Sequence, residues 1–369
     1  MDNIIKITSD ARFRLARSLM TSGSSDGATK SSSSSSDDDD TLEGAIDIFA
    51  SLLEETRNTC GETSLSAALC YYEYGNALFR AVVRRKPLDS DGETQQHEED
   101  RKPAAAKPSD SAGRKRSLDD DNTKGPDVAV NNKKSKTETN DDEDHNDDDD
   151  IALALEMLST SFSIFDWHST DDNTKTNPDE EEGKQYSLTQ IPRVLITIGD
   201  IHSHCGKFGD AVDAYCRALP YREKAWEERQ RANKAKGEES FTVEDLKCQR
   251  LVVEAYALIA EALLACKDGE DVVCANDEES EEKDTNVATA KKRGNIKEGR
   301  VLVPAKGRID FAESHYATSR EKLQDIVYQM GKMASAKVNL GDEKKDIGYL
   351  VMMLVGIGNT LEPLKTNRS

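Results

Sequence analysis

Leu195-Ile-Thr-Ile-Gly-Asp-Ile-His-Ser-His-Cys-Gly-Lys-Phe-Gly-Asp-Ala-Val-Asp-Ala-Tyr-Cys-Arg-Ala-Leu219 decides the fold. Small and bulky residues fall at set offsets: Gly199, Gly206, Phe208, Ala211, Tyr215 and Ala218. That is the tetratricopeptide pattern, a helix–turn–helix unit of about 34 residues. Gly199 admits the partner helix, Ala211 is the small residue opposite it, and Tyr215 fills the space between units. Gly206 suits the turn, where a positive φ is needed. One such hairpin cannot bury its own apolar face, so about three or more copies are required.

The other copies are present but interrupted. Ala45, Phe49 and Leu52 repeat the 0, +4, +7 spacing of Ala211, Tyr215 and Ala218, and Ala16 takes the Gly199 place. Ala16 and Ala45 lie 29 positions apart, against 12 in the intact unit. The excess holds the serines 31–36 and aspartates 37–40. A helix over 63–85 carries Gly75 in the small slot; its partner pattern (Ala154, Leu158, Ser161) resumes only at Ile151. Ala260 and Ala312 form the last pair, with Tyr316 and Ser319 following. The fold class expected is therefore all-α: a solenoid of four helical hairpins, three with polar insertions in the inter-helix turn, plus a C-terminal capping helix.

The expected boundaries are as follows. Residues 1–85 hold repeat one (insertion 24–40) and the first helix of repeat two. Residues 86–150 are an acidic, disordered insertion. Residues 151–338 hold the second helix of repeat two and repeats three and four, with disordered stretches at 166–184 and 268–305. Residues 339–369 hold the cap and tail. Pro192 is read as the first position of repeat three, where a missing N–H does little harm. Pro220 should kink or shorten the following helix. Thr242 and Asp245 read as a capping box. Phe13, Leu15, Ala16, Leu19 and Met20 are expected on or near one face of a short first helix.

Composition narrows the function. The 369 residues carry a formal charge of −21 and a mean hydropathy of −0.72. Such a field disfavours DNA and membrane surfaces and favours basic partners. Seven cysteines without paired spacing suggest free thiols in a reducing compartment. The apolar run 251–265 is broken by Glu254 and Glu261, so no bilayer span is expected.

Three sets of residues are candidates for binding. The first helices of such an array line its groove. There Tyr72, Asn76, Phe79, Asp200, His204, Glu254 and Glu261 are expected to face a ligand, the carboxylates accepting from Lys or Arg. An acidic loop contributes Glu138, Asp141, Asp142, Glu143, Asp144, Asp147, Asp148, Asp149 and Asp150. Salt limits its reach to about 8–10 Å, so it should speed encounter more than set specificity. An import signal is read at Arg114, Lys115, Arg116, Lys133, Lys134 and Lys136. His202-Ser-His204-Cys205 does not present three metal ligands on one helix face, and no metal or cofactor is expected. No nucleophile elbow or phosphate loop is present, and no enzyme is expected.

Repeats split by acidic insertions, the largest inside the second, resemble the nuclear autoantigenic sperm protein family of histone chaperones. The segments that carry the likeness are Cys60-Gly-Glu-Thr leading to Tyr71-Tyr-Glu-Tyr-Gly-Asn-Ala-Leu; Asp150-Ile-Ala-Leu-Ala-Leu-Glu-Met-Leu with Ile164-Phe165; Gly199-Asp-Ile leading to Ala211-Val-Asp-Ala-Tyr; and Glu254-Ala-Tyr leading to Leu263. The resemblance implies a non-enzymatic escort for histones H3 and H4, in nucleus and cytoplasm, acting in nucleosome assembly. From the charge, no direct binding of DNA or membrane is expected. Other histone chaperones or heat-shock proteins are further candidate partners, and homodimerisation stays open. The alternative is a general scaffold for basic peptides, or a heat-shock co-chaperone.

Overall fold

The computed structural model describes residues 2–22, 36–85, 146–170, 178–236, 241–267, 272–275, 300–303 and 307–366. The elements run α1 (Asp2–Ser9), α2 (Ala11–Ser22), α3 (Ser36–Cys60), α4 (Leu65–Arg85), α5 (Asn146–Thr170), α6 (Pro178–His204), α7 (Phe208–Lys236) and α8 (Val243–Ala265). A ribbon of β1 (Val272–Ala275) and β2 (Arg300–Val303) follows, then α9 (Arg308–Ser335) and α10 (Glu343–Thr366). From α2 to α9 each helix packs on the next, and α10 lies against α8 and α9.

The small-residue slots explain this packing. Ala45, Phe49, Ala154, Leu158, Ala211, Tyr215, Ala218 and Ala312 are all buried. A Cβ at Gly75 would meet the Ala154 carbonyl at 3.0 Å, so glycine lets α4 and α5 touch through backbone. The same pair is antiparallel. Arg85 meets Asp147 and Asp150, Gly75 meets Ala154 and Leu158, Ser161 meets Ala68, and His168 meets Thr63. The chain thus returns to the same place after the segment 86–145.

One contact recurs. Ser161 Oγ donates to the Ala68 carbonyl at 2.8 Å, and Ser319 Oγ donates to the Val253 carbonyl at 3.0 Å. Each serine lies seven residues after the small residue of its helix, and each acceptor lies seven before the small residue of the partner helix. Two hairpins far apart in sequence therefore share one hydrogen bond.

Several boundaries differ from expectation. α5 starts at Asn146, so Asp147 to Asp150 form its first turn and leave the insertion; carboxylates at a helix N-terminus complement its dipole. Residues 166–170 and 178–184 are helical, extending α5 and α6 into the stretch expected to lack structure. Pro192 lies deep inside α6, where packing of Ile191, Val194 and Leu195 offsets the lost backbone hydrogen bond. Pro220 does not shorten α7, which continues to Lys236. Residues 272–275 and 300–303 pair as antiparallel strands, with Val272 opposite Val303, both buried. Leu15 is exposed, while Phe13, Ala16 and Met20 are buried as expected.

α10 departs furthest. Ile347, Leu350, Leu354, Ile357 and Leu361 pack inward. Tyr349, Val351, Met352 and Val355 are exposed, where an end cap calls for a polar outer face. By length and composition α10 could also cross a bilayer, with a mean hydropathy of 1.4 over 18 residues. The apolar run 251–265, broken by Glu254 and Glu261, is not the segment that meets this length and composition.

Candidate functional site

The candidate groove residues sit on three helices. α4 carries Tyr72, Asn76 and Phe79, α6 carries Asp200 and His204, and α8 carries Glu254 and Glu261. Seven residues make nearly two whole turns. Tyr72 and Phe79 therefore share a face of α4, and Glu254 and Glu261 share a face of α8.

α4 and α6 meet through aromatic contacts. Phe79 and His204 are edge to face at 5.8 Å between centroids. The Arg193 guanidinium stacks over the Tyr72 ring at 5.0 Å, and its Nη1 donates to Gln190 Oε1 at 2.7 Å. Tyr72 is thereby almost wholly covered, while Asn76 and Phe79 stay half-buried.

α6 and α8 bring the three carboxylates together. Asp200 is half-buried and accepts from the Tyr215 hydroxyl at 2.9 Å. Glu254 pairs with buried Arg222 at 3.1 Å, and Arg222 also donates to the Leu251 carbonyl at 2.6 Å. Glu261 is the most exposed of the three. Burial is the main reason the Asp200 pKa rises to about 6; the nearby charges of Glu254 and Glu261 raise it further, against the Tyr215 hydrogen bond and Arg222. Partial desolvation raises that of Glu261 too. Glu254 and Glu261 both act on Asp200, so a ligand cation seated there gains from charge and from hydrogen bonding.

Two participants were not among the sequence candidates. Tyr349 of α10 is 67 % exposed and stands near the same acids. Desolvation, and then the charges of Glu261, Asp200 and Glu254, raise its phenol pKa. Its ring face is a ready partner for a guanidinium or ammonium. Arg222 is the other; in a highly charged stretch it reads as a solvated residue, yet it is buried.

A second polar cluster lies toward α2. Glu73 of α4 is buried, 2 % exposed, and meets Arg17 of α2 at 3.4 Å. Desolvation raises its pKa, opposed by Arg17, Arg193 and Arg80. Arg80 is exposed and makes long hydrogen bonds to Asn76 Oδ1 (3.4 Å) and the Met20 carbonyl (3.3 Å).

The remaining candidates separate from the groove. Asp147 and Asp150 are held by Arg85 at 3.4 and 2.7 Å, and Asp148 and Asp149 are exposed beside them. Glu138, Asp141 to Asp144, and the import-signal residues Arg114 to Arg116, Lys133, Lys134 and Lys136 lie outside the described residues. Comparison with known proteins finds no matching family model and no matching curated protein.

Proposed function

We propose that the chain is an interrupted tetratricopeptide array that chaperones histones H3 and H4 without covalent chemistry. The supporting observation is the convergence of Asp200, Glu254 and Glu261 from two helices onto one half-buried site beside Tyr349. The repeated small-residue slots and the recurring Ser161 and Ser319 hydrogen bonds support the repeat reading. In this reading the groove holds a basic segment of H3. The net charge of −21, and the acids on and before α5, screen the histone surface that otherwise contacts DNA. Exposure of the groove on the folded layer suits reversible capture and release.

The test is capture of recombinant H3–H4 by immobilised full-length chain at 0.15 M salt. Wild type is expected to retain the histones. Asp200→Asn, Glu254→Gln and Glu261→Gln combined should weaken retention by about tenfold or more, since each charge-assisted contact contributes about 1.5–3 kcal/mol. Equal retention by the triple variant would clear these residues of the role. No retention by wild type would end the proposal.

A further inference from the structure

The inner face of the helix layer has opposite charge at its two ends. Toward α2 it carries Arg17, Arg80 and Arg193 near the carboxylate Glu73. Toward α8 it carries Asp200, Glu254 and Glu261, with Arg222 paired to Glu254. Among the described residues no ion pair holds Arg80 or Arg193. α6 belongs to both ends. Arg193 and Asp200 lie seven residues apart on it, hence on one face and about 10 Å apart along the axis. The Tyr72 ring lies under Arg193, and His204, with Phe79 against it, lies one turn beyond Asp200.

We infer that the groove selects a peptide segment bearing both a carboxylate side chain and a basic side chain about 10 Å apart. The acid seats at Arg80 and Arg193, and the base at Asp200, Glu254 and Glu261. That spacing is seven residues on a helical ligand or about three on an extended one. The inference rests on the groove being the binding face proposed above, and it adds a selection rule. A uniformly basic segment satisfies the α8 end and is repelled at the α2 end, so the groove discriminates among basic sequences. The charge reversal also fixes which way the ligand lies along α6.

A terminal carboxylate is a poorer occupant than an Asp or Glu side chain. Arg193 already stacks on Tyr72 and bonds Gln190, and Arg80 reaches its own helix and α2. The two therefore do not converge as a clamp on one chain end. They form a broad positive wall that a side chain can approach from along the groove.

The experiment pans a library of C-terminally amidated 14-residue peptides of Ala, Leu, Lys and Glu against the immobilised full chain, with H3–H4 capture run in parallel. Amidation removes the terminal carboxylate as a source. Enriched peptides should carry Glu and Lys at the stated spacing and bind roughly tenfold tighter than the same peptides with Lys in place of Glu. Arg193→Glu and Arg80→Glu should each invert that preference. Arg80 is exposed, so its variant keeps the test valid if Arg193→Glu fails to fold. Enrichment of all-basic peptides by wild type, an unchanged preference in Arg80→Glu, or no enrichment at all would overturn the selection rule. H3–H4 capture together with any of these results leaves the chaperone reading standing. Enrichment of acid–base peptides without H3–H4 capture would sustain the selection rule and remove the histone assignment.

Discussion

Gly199→Ala adds one carbon where α6 passes closest to the Tyr215 ring of α7. A Cβ there would stand 2.3 Å from Tyr215 Cε1, 2.6 Å from Cδ1 and 2.9 Å from Cζ, against 3.4–4 Å for ordinary contact. The ring must retreat by more than about 1 Å, and buried interiors resist such shifts. Tyr215 is buried and its hydroxyl is tied to Asp200. Overpacking of this kind costs about 1–3 kcal/mol. Loss of the bond to the Asp200 carboxylate adds about 1.5–3 kcal/mol. The better helix propensity of alanine returns about 1 kcal/mol. The expected net loss is about 2 kcal/mol or more, read as a lower urea midpoint at unchanged slope. Gly331→Ala in α9 is the internal control. No atom lies within 4 Å of its would-be Cβ, and it should stabilise by about 0.5–1 kcal/mol. A Gly199→Ala midpoint at or above wild type would refute the close-approach argument and the role of Tyr215 in holding Asp200.

Three further tests follow. Asp200 binds its proton up to about pH 6 in the folded chain, against an ordinary value of 3.8, so the folded state takes up a proton that the unfolded state does not. The Asp200 contribution to stability should therefore rise as pH falls from 7 to 5, against His315, whose pKa, lowered by desolvation to about 4, acts in the opposite sense, while affinity for a basic peptide falls; wild type should gain stability relative to Asp200→Asn over that range, and a difference that does not change with pH would exclude Asp200 as the titrating group. Tyr349→Ala should leave the urea midpoint within about 0.5 kcal/mol of wild type yet weaken peptide binding several-fold, because an exposed ring adds little to folding; a large stability loss would make it a packing residue. Asp245 is 1 % exposed and accepts from Arg229, Asn233 and Thr242. Asp245→Ala should cost about 3 kcal/mol and Thr242→Ala about 1 kcal/mol in urea unfolding, in that order; the reverse order would contradict the network.

The helix pairs were legible because their contacts need small residues at set spacings. Ala154, Ala211 and Ala312 are buried; Gly75 touches Ala154, and Gly199 touches Tyr215, four residues after Ala211. That Glu254 and Glu261 share a face of α8 was legible as well, since positions seven apart on one helix must do so. What escaped depends on neighbours distant in sequence. Val272–Ala275 and Arg300–Val303 are four-residue runs about 25 residues apart, and only their pairing makes them strands. Arg222 sits in a charged stretch whose pattern gives no hint that Glu254 will cover it. Tyr349 reads as part of a terminal cap, and its nearness to Asp200 follows from where α10 docks on α8. Pro192 reads as a helix start by its chemistry, but buried neighbours on both sides override that preference.

The clasp between Arg85 and α5 bears on what the segment 86–145 contributes. Arg85 meets Asp147 and Asp150 where α4 ends and α5 begins, so the two ends of about 60 residues are held side by side. Closing a loop of that length exceeds the cost of a six-residue link by about 2 kcal/mol. A chain with 86–145 replaced by six residues should thus be more stable by about that amount. It should still bind acid–base peptides, because Arg193, Asp200, Glu254 and Glu261 lie elsewhere. Its association with H3–H4 should slow, since long-range attraction scales with the acids removed. Stopped-flow association at two salt concentrations separates the two contributions. A shortened chain that is less stable than wild type would mean that the segment packs on the helices, and its acids would then act from a set position.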